Sequence, residues 1–305
     1  MGTNKGKYLI ILAGPTAVGK TNMSVAVARE YGAEILSCDS RQLYTNMAIG
    51  TAKPTITDMG GITHHFIDHI AVTDSYSAAK YEQEADAILS KYFASGQQVA
   101  IMAGGTGLYI KAVLQGLDDF PPVPDHITSN LSQQLQQHGP APLLVELARL
   151  DPITFDSIDR SNERRVLRAL SVTLAAGQPY STYLRQKQKT LDYTPVRIAL
   201  TRDRSELYDR INTRVDAMME AGLEKEVRSL EAYRQLPALQ TVGYSEIFQY
   251  MDGSLTKAEA VDLIKRNTRR YAKRQLTWFR NQGEFMPWPA DDISGLISHL
   301  RTITS

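Results

Sequence analysis

Along the first hundred residues, short unbroken apolar runs alternate with longer stretches of helical spacing. Tyr8-Leu-Ile-Ile-Leu-Ala13 carries no charge and no polar alternation, the pattern of a parallel strand covered on both faces. A glycine-bearing turn follows, then a helix from near Lys20 to just before Gly32. Glu34-Ile-Leu-Ser-Cys38 predicts a second strand and Ser77 to Ala94 a helix. Gln98-Val-Ala-Ile-Met-Ala103 predicts a third strand, which runs into Gly104-Gly-Thr-Gly107. Strands and helices alternating in this way build a parallel sheet with helices on both faces.

The pattern changes at Asp118-Asp-Phe-Pro-Pro-Val-Pro124, a proline-rich joint. From there to about Pro195 the spacing is helical. Asp151-Pro152 marks one helix start, with Asp as the cap and Pro at the first helical position. Arg197-Ile-Ala-Leu-Thr201 then predicts one more strand, with helices from about Ser205 and from about Thr256. The expected organisation is an α/β core over residues 1–117, a helical insertion over 118–195, and a return to the core over 196–305.

Composition narrows the class. A chain of 305 residues, 43% hydrophobic and 22% charged, has the length of about two domains and can bury a full core. No apolar run near the start approaches the ~20 residues of a membrane span, and no small-residue cleavage site follows one. A single cysteine, Cys38, excludes an internal disulfide and a multi-cysteine zinc site. The expectation is a soluble, cytoplasmic protein with no membrane contact. Net charge is +1, yet Lys265 to Arg280 holds seven basic residues and no acidic one. A local basic surface is compatible with a neutral total.

Gly14-Pro15-Thr16-Ala17-Val18-Gly19-Lys20-Thr21 matches the phosphate-loop pattern G-x-x-x-x-G-K-[ST], with an apolar strand before it and a helix after. Successive backbone N–H groups and the positive end of the helix cup phosphate oxygens, and Lys20 adds a mobile charge. Thr21 can ligate a magnesium ion that bridges two phosphates. The core is therefore expected to be P-loop NTPase-like, binding a di- or triphosphate. Asp39 follows the second strand, on the same sheet edge as the loop. It can act there as a general base, as a magnesium ligand, or simply as a helix cap. Thr106 ends another strand at this edge, where it can bond a phosphate or a base; a tight glycine turn accounts for that stretch equally well.

His65 and His69 have the i, i+4 spacing of a zinc pair, but Phe66-Ile67 and Ile70 suggest a strand or loop, and no H-E-x-x-H pattern is present. Structural or substrate-contacting histidines are expected. Arg164, Arg165 and Arg168 lie on a helix of the insertion, facing either local carboxylates or a phosphodiester backbone. Arg210 and Arg214 share a helix face, so one of them can reach the phosphate site. On the last helix Arg266, Arg270, Lys273 and Arg280 fall near one face, with Ile264, Tyr271 and Trp278 recurring every seven residues on another. Like charges without acidic partners at i±4 repel, and an external polyanion would relieve them. A small-metabolite kinase shares the loop but has no use for that surface. A nucleotide switch would need an N-K-x-D stretch, and none is present.

Taken in order, the phosphate loop, Asp39-Ser-Arg-Gln-Leu-Tyr44, Gly50-Thr-Ala-Lys-Pro54, His64-His-Phe-Ile-Asp68, Gly104-Gly-Thr-Gly-Leu-Tyr109, Arg164 to Leu170, Val242-Gly-Tyr244 and Lys273-Arg-Gln-Leu-Thr-Trp278 resemble the bacterial tRNA dimethylallyltransferase family over nearly the whole chain. The resemblance implies transfer of a dimethylallyl group from dimethylallyl diphosphate to N6 of adenosine 37 in the tRNA anticodon stem-loop, with magnesium and with diphosphate as leaving group. It implies Asp39 as general base, Lys20 and Thr21 on the diphosphate, Thr106 near the reacting base and Arg214 on the diphosphate charge. The tRNA surface it implies comprises Asp39, Ser40, Arg41 and Gln42; Thr106; Arg164, Arg165, Val166, Leu167 and Arg168; Gln240, Thr241, Val242, Gly243, Tyr244 and Ser245; and Lys273, Arg274, Gln275, Leu276, Thr277, Trp278, Phe279 and Arg280. Ser129 is also implied on the tRNA surface; where relatives often carry a basic residue after the prolines, this chain has Asp125-His-Ile-Thr-Ser129, so one contact there is expected to be lost or moved. Without C-terminal zinc-finger cysteines it resembles the short bacterial form, expected to be a monomer.

Overall fold

Strand β1 (Tyr8–Ala13) is buried on both faces because its side chains alternate between two apolar layers. Leu9, Ile11 and Ala13 join one layer, Ile10 and Leu12 the other. The structure, a computed structural model, describes residues 6–184, 189–282 and 284–304. From β1 the chain continues through α1 (Lys20–Tyr31), β2 (Ile35–Cys38), α2 (Ile56–Met59), β3 (His64–His65), α3 (Ala78–Ala94), β4 (Val99–Gly104) and α4 (Gly107–Gln115). After the insertion come β5 (Thr194–Thr201), then helices at Arg204–Glu220, Leu223–Ser229, Tyr244–Met251 and Lys257–Gln282, a last strand β6 (Met286–Pro289), and a helix at Ile293–Thr304.

The six strands form one sheet in the order β3-β2-β4-β1-β5-β6, with every pairing parallel. The register aligns three strand ends. Ala13 of β1 faces Gly104 of β4, and Gly104 faces Cys38 of β2. Three loops distant in sequence therefore start side by side at the carboxyl edge, where open α/β sheets bind ligands. Gly104 has to be glycine here, because a Cβ would lie 2.4 Å from the Cys38 carbonyl oxygen. Two strands lie outside the set of strands expected from the sequence. β3 is only two residues, and β6 reads Met-Pro-Trp-Pro, whose prolines are tolerated because it is an edge strand paired with β5 alone.

The chain divides into two compact units, residues 1–114 with 190–305, and residues 115–189. β5 begins at Thr194, slightly ahead of the expected resumption at 196. The second unit consists of α5 (Asp125–His138), α6 (Ala141–Leu150), α7 (Pro152–Ser157) and α8 (Glu163–Ala176). Its own core is Leu131, Leu143, Leu147, Val166, Ala169 and Leu170. Asp151 caps α7 as its Asp-Pro start suggested, accepting from the Thr154 N–H. In chain order the four helices between β5 and β6 are α9 to α12, and the last is α13. Among the described residues no helix is long and apolar enough to cross a membrane.

Candidate active site

The loop between β1 and α1 turns through backbone conformations that favour glycine, with Gly14 at φ 155°, Ala17 at 66° and Gly19 at 117°. No side chain caps α1, which leaves its first N–H groups for a ligand. Lys20 follows Gly19 directly, and its ammonium donates to the loop's own carbonyls, Pro15 at 2.8 Å and Gly14 at 3.1 Å. Burial of that ammonium brings its pKa down to about 8; the Asp39 carboxylate opposes this, and the Arg214 cation adds to it.

Arg202, just before α9, donates from Nε to the Val18 carbonyl at 3.2 Å, and α9 supplies two further cations. Arg210 Nε donates to the Ala17 carbonyl at 2.9 Å, and Arg214 Nη1 donates to Thr16 Oγ1 at 3.4 Å. Both arginines reach the loop, so the shared face of the sequence reading holds for the pair. Burial, reinforced by Arg210, lowers the Arg214 pKa, and Asp39 works against that shift. Asp39 opens a tight turn in which its Oδ1 accepts from the Arg41 N–H at 2.9 Å and the Gln42 N–H at 3.4 Å. Oδ2 has no protein partner among the described residues. Thr106 braces this turn, its hydroxyl accepting from the Ser40 N–H at 3.0 Å and its own N–H donating to the Cys38 carbonyl at 3.0 Å. Beneath them the Tyr81 hydroxyl donates to the Ser37 carbonyl, and the Tyr81 ring stacks on Tyr109. Burial pushes the Cys38 thiol far up, so it stays protonated.

Thr16, Lys20, Thr21, Asp39, Arg210 and Arg214 line one cavity of about 470 Å³. Val215, Met218, Val242, Ile264 and Tyr271 give the same cavity an apolar wall. A polyanionic group and a small hydrocarbon chain therefore both find complementary surfaces in it. A further wall, Gly50 to Pro54, went unassigned in the sequence beyond its place in the motif. Glu226 holds it by accepting from three consecutive N–H groups, Ala48 at 3.0 Å, Ile49 at 2.8 Å and Gly50 at 2.9 Å. Nothing local in the sequence links Glu226 to a loop so far upstream.

A family model described as IPP transferase matches residues 42–282. The chain belongs to the IPP transferase family. A tRNA dimethylallyltransferase from Christiangramia forsetii is 45% identical over 287 residues, covering 94% of this chain and 95% of its own. One from Cytophaga hutchinsonii is 42% identical over 294 residues, covering 95% and 96%. Among solved structures, the full-length tRNA isopentenylpyrophosphate transferase of Bacillus halodurans has a TM-score of 0.71 at 38% identity, covering 98% of this chain and 95% of its own. A eukaryotic dimethylallyltransferase acting on tRNA has a TM-score of 0.77 at 25% identity, covering 97% and 78%.

The structure separates the residues selected from the sequence. Asp39, Thr106, Lys20, Thr21 and Arg214 come together as described. Arg164, Arg165 and Arg168 are exposed on α8, with Arg168 set over the Phe120 ring, and Ser129, Gln240, Lys273, Arg274, Leu276, Thr277 and Arg280 are also exposed. Several others face inward. Val166 is in the insertion core and Leu167 packs on it; Tyr244 is buried with its hydroxyl donated to Glu226; Phe279 and Gln275 are buried on α12. The Arg41 guanidinium is spent on the Pro237 and Ala238 carbonyls, and the Gln42 amide on Thr51 and Ala52.

The last helix also differs from its sequence pattern. Its buried seam is Ala260, Ile264, Ala272, Gln275 and Phe279, whereas Tyr271 is 37% exposed and Trp278 lies against Gly107. Two of its cations have partners on α9, because Lys265 pairs with Asp216 at 2.6 Å and Arg269 donates to Asn212 at 2.6 Å. The histidines are structurally engaged: His65 donates to Glu34 at 2.7 Å, His69 to Glu84 at 2.8 Å, and His64 to the Ile62 carbonyl at 2.9 Å.

Proposed function

We propose that this chain transfers a dimethylallyl group from dimethylallyl diphosphate to N6 of adenosine 37 in tRNA and releases diphosphate. The observation that carries the proposal is the placement of the Asp39 carboxylate in one cavity with the phosphate loop, Lys20 and two arginines. The adenine amino group is a poor nucleophile because its lone pair is delocalised into the ring. Asp39 Oδ2 takes the N6 proton as the N6–C bond forms, a contribution of roughly 10²–10⁴ in rate. The C–O bond to the diphosphate breaks in the same step. Lys20, Arg210, Arg214 and the loop N–H groups meet the charge that grows on the leaving group. The apolar wall from Val215 to Ile264 accommodates the hydrocarbon chain and keeps water from it.

Magnesium fits the donor set. The Thr21 hydroxyl and the Asp39 carboxylate line the cavity, and the described residues include no larger cluster that could hold a metal unaided. The ion would thus be held by Thr21, with diphosphate and water oxygens as its remaining ligands. When bound it supplies further neutralisation of the leaving diphosphate. The tRNA is engaged through the exposed cations of α12 and α8, with the target base unstacked to reach Asp39 at a cost of a few kcal/mol. The chain acts in this reading as a cytoplasmic monomer.

The test is transfer of label from dimethylallyl diphosphate to an anticodon stem-loop, with ATP hydrolysis assayed in parallel. Wild type labels the adenosine at position 37, and Asp39→Ala lowers kcat by about 10²–10⁴ while stem-loop affinity holds. ATP turnover on a small acceptor without labelled RNA would replace the proposal with a kinase.

A further inference from the structure

Gln275 sits among the basic residues of α12, yet its side chain points away from them. It is 6% exposed and belongs to the buried seam of the helix with Ala272 and Phe279. Both ends of its amide are used. Oε1 accepts from the Thr16 N–H at 2.9 Å, and Nε2 donates to the Gly105 carbonyl at 2.9 Å. These partners lie 259 and 170 residues away along the chain. Thr16 is in the phosphate loop, and its hydroxyl accepts from Arg214. Gly105 precedes Thr106, which braces the Asp39 turn through Ser40. A single buried amide thus joins the loop that holds phosphate to the turn that holds the base.

The fit around it is close. A Cβ on Gly105 would stand 2.2 Å from Gln275 Nε2 and 3.2 Å from the Gly14 carbonyl oxygen. No bond of α12 itself needs this glutamine. A buried amide that has lost either partner carries a desolvation penalty, so the pair of bonds holds both loops in one relative position.

We infer that Gln275 is a positioning residue for the diphosphate site, acting through Thr16 and Gly105 rather than by contact with RNA. The inference rests on the proposed function only in taking a diphosphate as the loop's ligand. Gln275→Met keeps the length and removes both hydrogen bonds. Gly105→Ala attacks the same bridge from its other end, at a glycine whose backbone conformation an alanine can adopt.

The experiment measures binding of inorganic diphosphate with magnesium by calorimetry in the absence of RNA, and separately binding of an unmodified anticodon stem-loop. Both variants are expected to weaken diphosphate binding about tenfold, to raise KM for dimethylallyl diphosphate in step, and to leave stem-loop affinity within twofold. Where Gln275→Met does not yield folded protein by circular dichroism, Gly105→Ala carries the same comparison. Diphosphate affinity unchanged in the variants overturns the inference, and stem-loop affinity lost in its place makes Gln275 an RNA contact. A wild-type protein that ignores diphosphate altogether fails the proposed function instead, so the two failures are distinguishable.

Discussion

Lys20 is a cation enclosed by its own loop, and its charge is correspondingly easy to lose. Burial favours the neutral amine and brings its pKa down to about 8, with Asp39 opposing the shift and Arg214 and the Cys38 thiol as the other titratable neighbours. A bound diphosphate favours the ammonium and raises that value. Affinity is therefore flat where Lys20 is already charged and declines as pH rises above about 8. KM for dimethylallyl diphosphate, followed from pH 7 to 9.5, is expected to climb above that point. In Lys20→Arg, whose guanidinium stays charged throughout, the climb is expected to disappear even if overall activity falls. At this scale the sequence was informative wherever function rests on a motif: the loop, Lys20, Thr21 and Asp39 stand together in space because β1 and β2 run parallel on either side of β4 and end at the same sheet edge. It was silent on Glu226 and on the partners of Gln275, because long-range hydrogen bonds leave no local periodicity.

Helix α7 shows how much one capping residue can hold. Asp151 is 1% exposed, and its carboxylate accepts four hydrogen bonds, from the Thr154 N–H and hydroxyl and from the Ser181 N–H and hydroxyl. Burial alone would push this carboxyl up; the hydrogen bonds outweigh it and hold it below its usual value. A depressed carboxyl stabilises the fold fully above its unfolded pKa of ~3.9 and loses that contribution as pH falls through the folded value. The insertion is thus expected to loosen in acid below about pH 4. Asp151→Ala should cost it about 1–3 kcal/mol at neutral pH. Hydrogen exchange that accelerates across residues 140–183 but not in β1 would show it; uniform protection would count against it. The Asp-Pro signal for this helix was plain in the chain because capping is local. The Met-Pro-Trp-Pro strand was invisible because only its edge position makes two prolines acceptable. The seam of α12 was misplaced by one residue at Tyr271, which is 37% exposed while Ala272 is buried; Trp278 packs on the core beside the buried Phe279.

A chain of net charge +1 still presents Arg266, Arg270, Lys273, Arg274 and Arg280 on the exposed side of one helix. In the proposed function the stem-loop binds through that surface and releases counterions, so its affinity should fall steeply with salt, by a log–log slope of about −0.7 to −0.9 per phosphate neutralised. Arg270→Ala should make the slope shallower by about 1 and weaken unrelated stem-loops equally. A slope that does not change would exclude this face from the RNA contact. The α/β core and the site's sheet edge were legible at this scale, because the alternation of strands and helices makes the strands parallel and brings their carboxyl ends to one edge; the strand order itself was not. Sheet order also has a consequence in time. β1 takes β4 on one side and β5 on the other, and β5 begins at Thr194, long after β4 ends at Gly104. A ribosome working at about 5–20 residues per second needs roughly 5–18 s to make the stretch between them. Through that interval β1 has one unpaired edge, and the phosphate loop lacks Arg202, Arg210 and Arg214, the arginines that bond to it. The nascent chain therefore carries an open apolar edge before it can bind a diphosphate.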